Sequence, residues 1–238
     1  MTTAPPSVLS EARSAESKDP RARHPRLVLI TDRRLMGGLA GFAAAIGAAV
    51  RDLPPGSAIV QVREKDLGGA ALLALLRAAQ GAAPEQIVIV NDRLDLALAV
   101  AAAGVHLPED GLDIATARAV IAAADGPTPC ADAATMLVGC SRHDVDAATA
   151  AAAAGADLVH LGPIWSTPSK AGFGAPLGLD ALMAARARIG DRARLIAVGG
   201  IDGPERAATA RAAGAAAVAV VRAVWAAPDP GAAALALL

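Results

Sequence analysis

Eight short apolar runs, each followed by a turn and an alanine-rich stretch, recur along the chain from Arg26 onward. Apolar runs without strict alternation are typical of strands that helices cover on both faces. Strands that alternate with helices indicate βαβ units, and eight such units close a parallel barrel. We predict a single (βα)₈ TIM barrel, with a doubly wound open sheet as the alternative. The runs occupy residues 26–32, 57–63, 86–92, 104–107, 136–141, 157–162, 194–200 and 216–221.

Composition limits the partners of this chain. The hydrophobic fraction is 54%, and most of its excess is alanine, the strongest helix former. Charged residues, glycines and prolines interrupt the apolar stretches before any reaches the length of a membrane-spanning helix. The formal net charge of −1 offers no basic surface for nucleic acid or for an anionic membrane. We therefore expect small-molecule partners, with no nucleic acid and no membrane among them.

The cysteines and the N-terminal segment favour the cytoplasm. Cys130 and Cys140 are too few for a disulfide framework and lack metal-ligand spacing. Cys140 lies in an apolar run, where a small buried hydrophobe is expected. Residues 1–25 mix proline, serine and charges without the apolar segment of a secretory signal. We predict that they form a flexible tail before a barrel domain at 26–238.

Polar residues concentrate where the apolar runs stop. The ends of parallel barrel strands meet at one rim, the C-terminal face, where barrel enzymes have their active sites. A turn or a helix cap would explain any one of these residues but not their recurrence. The strand-end residues are Thr31, Asp32, Gln61, Arg63, Glu64, Lys65, Asn91, Asp92, His106, Ser141, Gly162, Gly199 and Gly200.

Two of these strand ends suit a diphosphate and a metal ion. In QVREK, alternate residues share a face, so Gln61, Arg63 and Lys65 are predicted to point together into the barrel mouth. An amide and two cations suit pyrophosphate, although a solvated charge cluster is the alternative. Asp92, next to Asn91, is a candidate Mg²⁺ ligand, because Mg²⁺ usually binds one or two carboxylates plus phosphate oxygens. A helix cap is the alternative for Asp92.

The loop at 162–178, GPIWSTPSKAGFGAPLG, is a candidate binding loop because it is long and rich in glycine, proline and hydroxyls. Thr167, Ser169 and Lys170 offer two hydroxyls and a cation to a phosphate or a leaving group. A mobile surface loop is the alternative.

The turns after the last two strands form a second candidate phosphate site. Gly200 follows the seventh run, and Val221 and Arg222 follow the eighth. Barrels frequently bind phosphate at these positions through backbone N–H groups and a helix N-terminus.

Three histidines are candidates for different roles. His106 and His143 lie at or beyond strand ends on the predicted active face, and His143 is the better acid–base candidate. His160 lies within an apolar strand, where we expect a hydrogen-bonded core histidine.

Seven segments resemble the thiamine-phosphate synthase family and its close relative, the thiazole tautomerase family, over nearly all of the chain from about Arg26. These segments are LITDRR, QVREK, IVNDRLDLA, GVHL, GCSRH, GPIWSTPSK with PLGL, and AVGGI with AVAVV. The synthases join an aminopyrimidine diphosphate to a thiazole phosphate, use Mg²⁺ and release pyrophosphate. In that family the diphosphate leaves first, and the thiazole nitrogen then captures the pyrimidine cation.

The resemblance implies a role for each matching residue, with Asp92 as a metal ligand. The pyrimidine substrate and its diphosphate would contact Gln61, Arg63, Lys65, Asn91, Ser141 and Lys170. Arg63, Ser141 and Lys170 are the catalytic candidates among them. The thiazole phosphate would contact Thr167, Ser169, Gly200, Val221 and Arg222.

The chain departs from the family pattern in three places. The family usually has Gly-Gln-Glu-Asp after the fourth strand, and its aspartate is the second Mg²⁺ ligand. Here HLPEDGL aligns Gly111 with that aspartate, unless Asp110 takes its place. The His-Leu-Pro at the beginning of this HLPEDGL segment is more typical of the tautomerases. In the loop after the sixth strand, TPSK replaces the more usual Thr-x-Thr-Lys. Arg222 occupies a position where a serine is common in the family. The QVREK and Asn-Asp motifs are intact in this chain, which favours the synthase.

We therefore predict a thiamine-phosphate synthase. The first alternative is a metal-independent thiazole tautomerase in which His143 moves the proton. The second is a barrel that binds thiamine precursors without turnover, and a generic phosphate-binding isomerase is more distant because QVREK and TPSK have no evident role there. The sequence leaves open whether the chain forms a homo-oligomer.

Overall fold

The structure, a computed structural model, describes residues 24–124, 135–167 and 175–238. Within these ranges eight parallel strands close into a barrel in chain order, and β8 pairs with β1. Each predicted run coincides with one strand, although β5 extends one residue beyond its run, so the (βα)₈ prediction is confirmed and the open-sheet alternative is wrong. The strands are β1 Leu27–Ile30, β2 Ala58–Val62, β3 Ile87–Asn91, β4 Gly104–Leu107, β5 Leu137–Arg142, β6 Leu158–Leu161, β7 Arg194–Val198 and β8 Ala217–Val220.

Helices surround the barrel, and their ends follow local sequence signals. Asp113, Asp144 and Asp229 cap three helices by accepting hydrogen bonds from backbone N–H groups of the first turn. No described helix is long and apolar enough to cross a membrane. The helices are α1 Gly38–Val50, α2 Gly69–Ala82, α3 Leu94–Ala99, α4 Ile114–Ala123, α5 Val145–Ala153, α6 Gly178–Ile189, α7 Pro204–Ala212, α8 Arg222–Trp225 and α9 Pro230–Ala236.

Two separate apolar cores result from the alternation of side chains along the strands. One core lies between the strands and the surrounding helices and includes Cys140, which is buried as predicted. The other fills the barrel interior. Because alternate residues share a face, the inward-facing positions of each strand can be followed from this inner core to the C-terminal rim. The inner core comprises Val28, Ile30, Ile59, Ile87, Ile89, Leu137, Leu158, Ile196, Ala217 and Ala219.

Charged side chains at the N-terminal rim of the barrel are tied to the backbone. Asp157, just before β6, accepts a hydrogen bond from the Val138 N–H at 2.7 Å and pairs with Arg118. Arg194, at the start of β7, donates to the Pro25 carbonyl at 2.7 Å and lies 3.0 Å from His24 Nδ1. The predicted tail at 1–25 therefore has its last two residues against the barrel, whereas residues 1–23 lie outside the described ranges, as does Cys130.

Candidate active site at the C-terminal rim

Five polar side chains form an arc on the inner wall of the barrel, from β2 to β6. Gln61 donates from Nε2 to Asn91 Oδ1 at 3.2 Å, which joins the ends of β2 and β3. His106 Nε2 lies 2.8 Å from Ser141 Oγ, which joins β4 and β5. The rings of His106 and His160 have centroids 4.3 Å apart and so extend the arc to β6. We call these five residues the polar arc.

The opposite side of the interior is apolar. Strands β7, β8 and β1 contribute Ile196, Ala219 and Ile30 to the inner core. A ligand at the barrel mouth therefore meets hydrogen-bonding groups on one side and hydrocarbon on the other. Such an asymmetric lining suits a planar heterocycle with polar substituents at one edge.

Gln61 has an acceptor atom that no described residue uses. Its side chain is 1% exposed, and Oε1 has no hydrogen-bond partner among the described residues. Buried polar groups normally have partners, so an orphaned acceptor requires an explanation. A ligand donor that reaches into the mouth would satisfy it, which agrees with the predicted substrate contact.

Arg63 and Lys65 lie directly beyond β2 and are exposed. Neither side chain forms a hydrogen bond or ion pair with any residue that the structure describes. Arg63 continues the inward alternation of β2 after Gln61. Burial lowers the pKa of the nearby His106 well below its ordinary value, and the positive charge of Arg63 lowers it further. The structure therefore places Arg63 at the barrel mouth and Lys65 in the turn that follows it, and their binding of the diphosphate stays a prediction.

The side chain of Glu64, which lies between these cations in sequence, does not point into the barrel mouth. It is 5% exposed and turns towards the end of β1, where it accepts hydrogen bonds from Thr31 Oγ1 at 2.8 Å and from Arg33. Arg33 also forms a bidentate pair with Asp66 and lowers the pKa of that carboxyl to about 2. Sequence reasoning assigned no role to Glu64, because alternation indicates only that it faces away from Arg63.

Asp92 is not a helix cap. The residue that precedes α3 is Arg93, and no side-chain hydrogen bond caps this helix. The Asp92 carboxylate is exposed and has no hydrogen bond or ion pair among the described residues. Its backbone adopts φ 68°, in the left-handed region, and its N–H donates to the His106 carbonyl at 2.8 Å. The capping alternative is therefore wrong, and the role of Asp92 as a metal ligand stays a prediction.

The turn after β4 leaves one carboxylate free. Glu109 pairs with Nδ1 of His143, across from the end of β5. Gly111 donates to the Pro108 carbonyl at 3.1 Å, and a Cβ at Gly111 would lie 2.8 Å from the Pro108 ring. An aspartate would therefore not fit at 111 without a shift of this turn. Asp110 is exposed and has no hydrogen bond or ion pair within the described ranges.

The remaining histidines are unsuited to acid–base work near neutral pH. Burial lowers the pKa of His160 to about 3, so its imidazole is neutral at physiological pH. His160 is a core residue as predicted, but the expectation that it is fully hydrogen-bonded is wrong, because Nε2 has no partner among the described residues. The adjacent His106 ring is fully buried and also neutral, and its Nδ1 is likewise orphaned.

The turn after β7 packs tightly against the start of the loop after β6. Gly200 has φ 72°, and a Cβ there would lie 2.5 Å from Trp165 Cβ, so only glycine fits without rearrangement. Val221 immediately precedes α8, and Arg222 donates from its guanidinium to Thr167 Oγ1 at 3.2 Å. The structure thus brings together the three segments predicted to bind the thiazole phosphate. Ser169 and Lys170 lie outside the described residues.

The donor set at this rim fits a hard divalent cation that is completed by substrate oxygens. No cluster of three or more histidine, cysteine, aspartate or glutamate ligands is found within the described ranges. Asp92 and Asp110 are exposed, unpartnered carboxylates at the ends of the adjacent strands β3 and β4. Mg²⁺ commonly binds through one or two carboxylates plus waters and phosphate oxygens, rather than in an all-protein cage.

Comparison with known proteins identifies the family. Residues 27–224 match the family model described as thiamine monophosphate synthase. This chain belongs to that family. The thiamine-phosphate synthase of Anaeromyxobacter dehalogenans is 41% identical over 206 residues, which cover 85% of this chain and 86% of the relative. That of Chloroflexus aurantiacus is 39% identical over 212 residues, or 88% and 89% of the two chains.

Solved structures agree with this family membership. Thiamine phosphate pyrophosphorylase from Pyrococcus furiosus has a TM-score of 0.67 and 26% identity, with 90% of this chain and 94% of that chain covered. The 3-hexulose-6-phosphate synthase from Salmonella typhimurium, at 21% identity and a TM-score of 0.62 over 89% and 96% of the two chains, shares the fold alone. The predicted resemblance to thiamine-phosphate synthases is confirmed. These relatives give no support to the thiazole tautomerase alternative.

Proposed function

We propose that this chain is a thiamine-phosphate synthase that joins 4-amino-2-methyl-5-(diphosphooxymethyl)pyrimidine to thiazole phosphate and releases pyrophosphate. Membership of the thiamine monophosphate synthase family supports the reaction class. The observation that carries the proposal is the pair of unpartnered cations, Arg63 and Lys65, beside two unpartnered carboxylates, Asp92 and Asp110, at one rim. As a biosynthetic enzyme of small phosphorylated substrates, it is assigned to the cytoplasm.

The difficult step is loss of the diphosphate. The bond between the pyrimidine methylene carbon and the diphosphate oxygen breaks, and its electron pair leaves with pyrophosphate. Negative charge develops on the leaving oxygens, and preorganised donors aimed at that charge lower the barrier. Arg63, Lys65 and Lys170 are the cations assigned to this task, and the Ser141 hydroxyl is assigned to a diphosphate oxygen. Asp92 and Asp110 would hold Mg²⁺, which neutralises charge on the diphosphate when bound.

The cation left on the pyrimidine is stabilised by resonance with the ring amino group. Gln61 and Asn91 are assigned to the polar edge of this ring, since the orphaned Gln61 Oε1 can accept a hydrogen bond from an amino group. Neutral His106 and His160 fit this layer better than charged imidazoles would, because a positive charge beneath the pyrimidine cation would oppose its formation.

The thiazole nitrogen then attacks the pyrimidine methylene carbon and forms the new C–N bond. The thiazole phosphate is assigned to the segments around Gly200, Val221 and Arg222, together with Thr167 and Ser169. Anchoring this phosphate would hold the nitrogen close to the carbon that it attacks and so reduce the entropic cost of the encounter.

The decisive experiment mixes the purified protein with both substrates and measures pyrophosphate release and thiamine phosphate formation, with Mg²⁺ or with EDTA. Magnesium-dependent formation of both products is the expected result. Release that persists in EDTA would refute the metal assignment of Asp92 and Asp110. Binding of both substrates by folded protein without release of pyrophosphate would refute the synthase and favour a barrel that only binds thiamine precursors.

A further inference from the structure

The turn after β2 places a buried acid between two exposed cations. Glu64 is 5% exposed and Thr31 is 1% exposed, whereas Arg63 and Lys65 on either side of Glu64 are exposed. Burial of a carboxylate is costly unless donors or cations satisfy it. The contacts of Glu64 therefore show what holds this turn in place.

A single hydroxyl connects Glu64 to the backbone of Arg63. Thr31 Oγ1 accepts a hydrogen bond from the Arg63 N–H at 2.9 Å and donates one to Glu64 Oε1 at 2.8 Å. The Thr31 hydroxyl thus has both its donor and one acceptor position in use, between two residues that are adjacent in sequence. We call Thr31 and Glu64 the rim clamp.

Arg33, in the turn after β1, supports the rim clamp by two further hydrogen bonds to Glu64. Its backbone N–H donates to Glu64 Oε1 at 3.0 Å, and its guanidinium donates to Oε2 at 3.0 Å. The Glu64 carboxylate therefore accepts three hydrogen bonds from the turn that follows β1. With these partners and almost no exposure, Glu64 lacks the access expected of a base or a metal ligand.

We propose that Thr31 and Glu64 are positioning residues that orient Arg63 towards the diphosphate. Arg63 continues the inward alternation of β2, and Glu64, held on the other side by Thr31, fixes the backbone directly after it. The hydrogen bond from Thr31 to the Arg63 backbone removes the remaining freedom of that residue before a ligand arrives, and such preorganisation strengthens binding. This inference rests on the proposed function, because it takes Arg63 and Lys65 as the diphosphate ligands.

Two substitutions at Thr31 test the clamp, of which valine has nearly the size of threonine and serine lacks only its methyl group. Thr31→Val removes the hydroxyl, whereas Thr31→Ser keeps it. Loss of a hydrogen bond to a charged group changes an equilibrium by about 10-fold or more. We expect Thr31→Val to weaken magnesium pyrophosphate binding, measured by calorimetry, about 10-fold, and Thr31→Ser to restore wild-type affinity.

The two Michaelis constants distinguish positioning from a general structural role. In Thr31→Val, KM for the pyrimidine diphosphate should rise while KM for the thiazole phosphate stays at the wild-type value. Glu64→Gln should show the same selective change, because an amide cannot accept from both donors of Arg33. Asp66→Asn is the matched control, since it removes the charge of the outer partner of Arg33 and leaves the bond between Thr31 and Glu64 intact.

Failure of the clamp and failure of the proposed function give different results. If the wild-type protein turns over both substrates but Thr31→Val binds magnesium pyrophosphate as tightly as Thr31→Ser does, the clamp is refuted and the synthase stands. If the wild-type protein does not release pyrophosphate, the synthase is refuted. Hydrogen exchange at the Arg63 amide then still tests the clamp, which predicts faster exchange in Thr31→Val than in Thr31→Ser.

Discussion

The two rims of the barrel differ in what their charged side chains contact. At the N-terminal rim, Asp157 accepts a hydrogen bond from a β5 N–H, and Arg118 and Arg194 donate to backbone carbonyls. At the C-terminal rim, Arg63 and Asp92 have no side-chain partner among the described residues. Charges at the starts of β6 and β7 are thus bonded to the protein, whereas Arg63 and Asp92, just after β2 and β3, are left available beside paired groups such as Glu64.

This difference separates stability from ligand binding. A charged side chain that is hydrogen-bonded to backbone groups stabilises the fold, and its removal leaves those groups without partners and lowers the free energy of unfolding. An exposed charge without partners contributes little to folding, because water solvates it in the folded and unfolded states alike. The comparison predicts that substitutions of the unpartnered charges at the C-terminal rim impair activity with little effect on stability, and that substitutions of the bonded charges at the N-terminal rim do the reverse.

Arg63→Ala should produce the largest effect. Loss of one preorganised donor to a developing charge commonly costs about 100-fold to 1000-fold in rate, and we expect kcat/KM for the pyrimidine diphosphate to fall by that order. The melting temperature should not change, because Arg63 has no side-chain partner within the described ranges. Arg51→Ala, at another exposed arginine, is the control. An Arg63→Ala protein that is unfolded would make Arg63 a structural residue.

Asp92→Asn should reduce the rate about 100-fold at limiting Mg²⁺, since removal of a carboxylate ligand weakens the stabilisation that the metal supplies. Asparagine is chosen because it tolerates the left-handed backbone of this position. A magnesium titration of pyrophosphate release should shift to higher concentration. An unchanged titration would remove Asp92 from the metal site.

Asp157→Ala should reverse the pattern at the other rim. The substitution leaves the Val138 N–H without its acceptor and removes the partner of Arg118. We expect the free energy of unfolding, measured in urea, to fall by roughly 2 to 3 kcal/mol. The kcat/KM of the folded protein should match that of the wild type. A large loss of activity with normal stability would contradict the division between the rims.

His160→Phe tests the layer between the rims and should have the smallest effect. The His160 pKa is about 3 in the folded protein and near 6.5 in the unfolded chain. Below pH 6.5 the unfolded state therefore binds more protons, and stability falls as the pH decreases towards 3. Between pH 7 and pH 5 the wild type should lose on the order of 1 to 2 kcal/mol more than His160→Phe does. The free energy of unfolding in urea is measured for both proteins as a function of pH, and an equal loss in the two proteins would contradict this prediction.

Much of the fold and the site could be predicted because the C-terminal ends of parallel barrel strands lie at the same rim. Once eight apolar runs define the strands, the polar residues at their ends must meet at one rim, and Gln61, Asn91 and Ser141 do so. These predictions need only the strand positions and the alternation of side chains.

Features that depend on contacts distant in sequence could not be predicted. Glu64 is buried because Thr31 and Arg33, more than thirty residues earlier, satisfy its carboxylate, and alternation alone does not reveal them. Asp92 fails to cap α3 because its backbone is left-handed, whereas the local sequence is equally compatible with a cap. His160 lies against the tilted ring of His106, whose Nε2 contacts Ser141, and this arrangement of three strands is likewise not apparent from the local sequence.

The two tryptophans give this protein an intrinsic fluorescence that can be used to follow its structure. The chain contains two tryptophans and no tyrosine, so its near-ultraviolet emission comes almost entirely from these indoles. Trp225 is buried and donates from Nε1 to the Ile30 carbonyl at 2.7 Å, where the last strand meets the first. Trp165 is half-buried beside Gly200, with the Arg206 guanidinium 5.5 Å from its ring centroid. One fluorophore thus reports on barrel closure, and the other lies where a bound phosphate would change its surroundings.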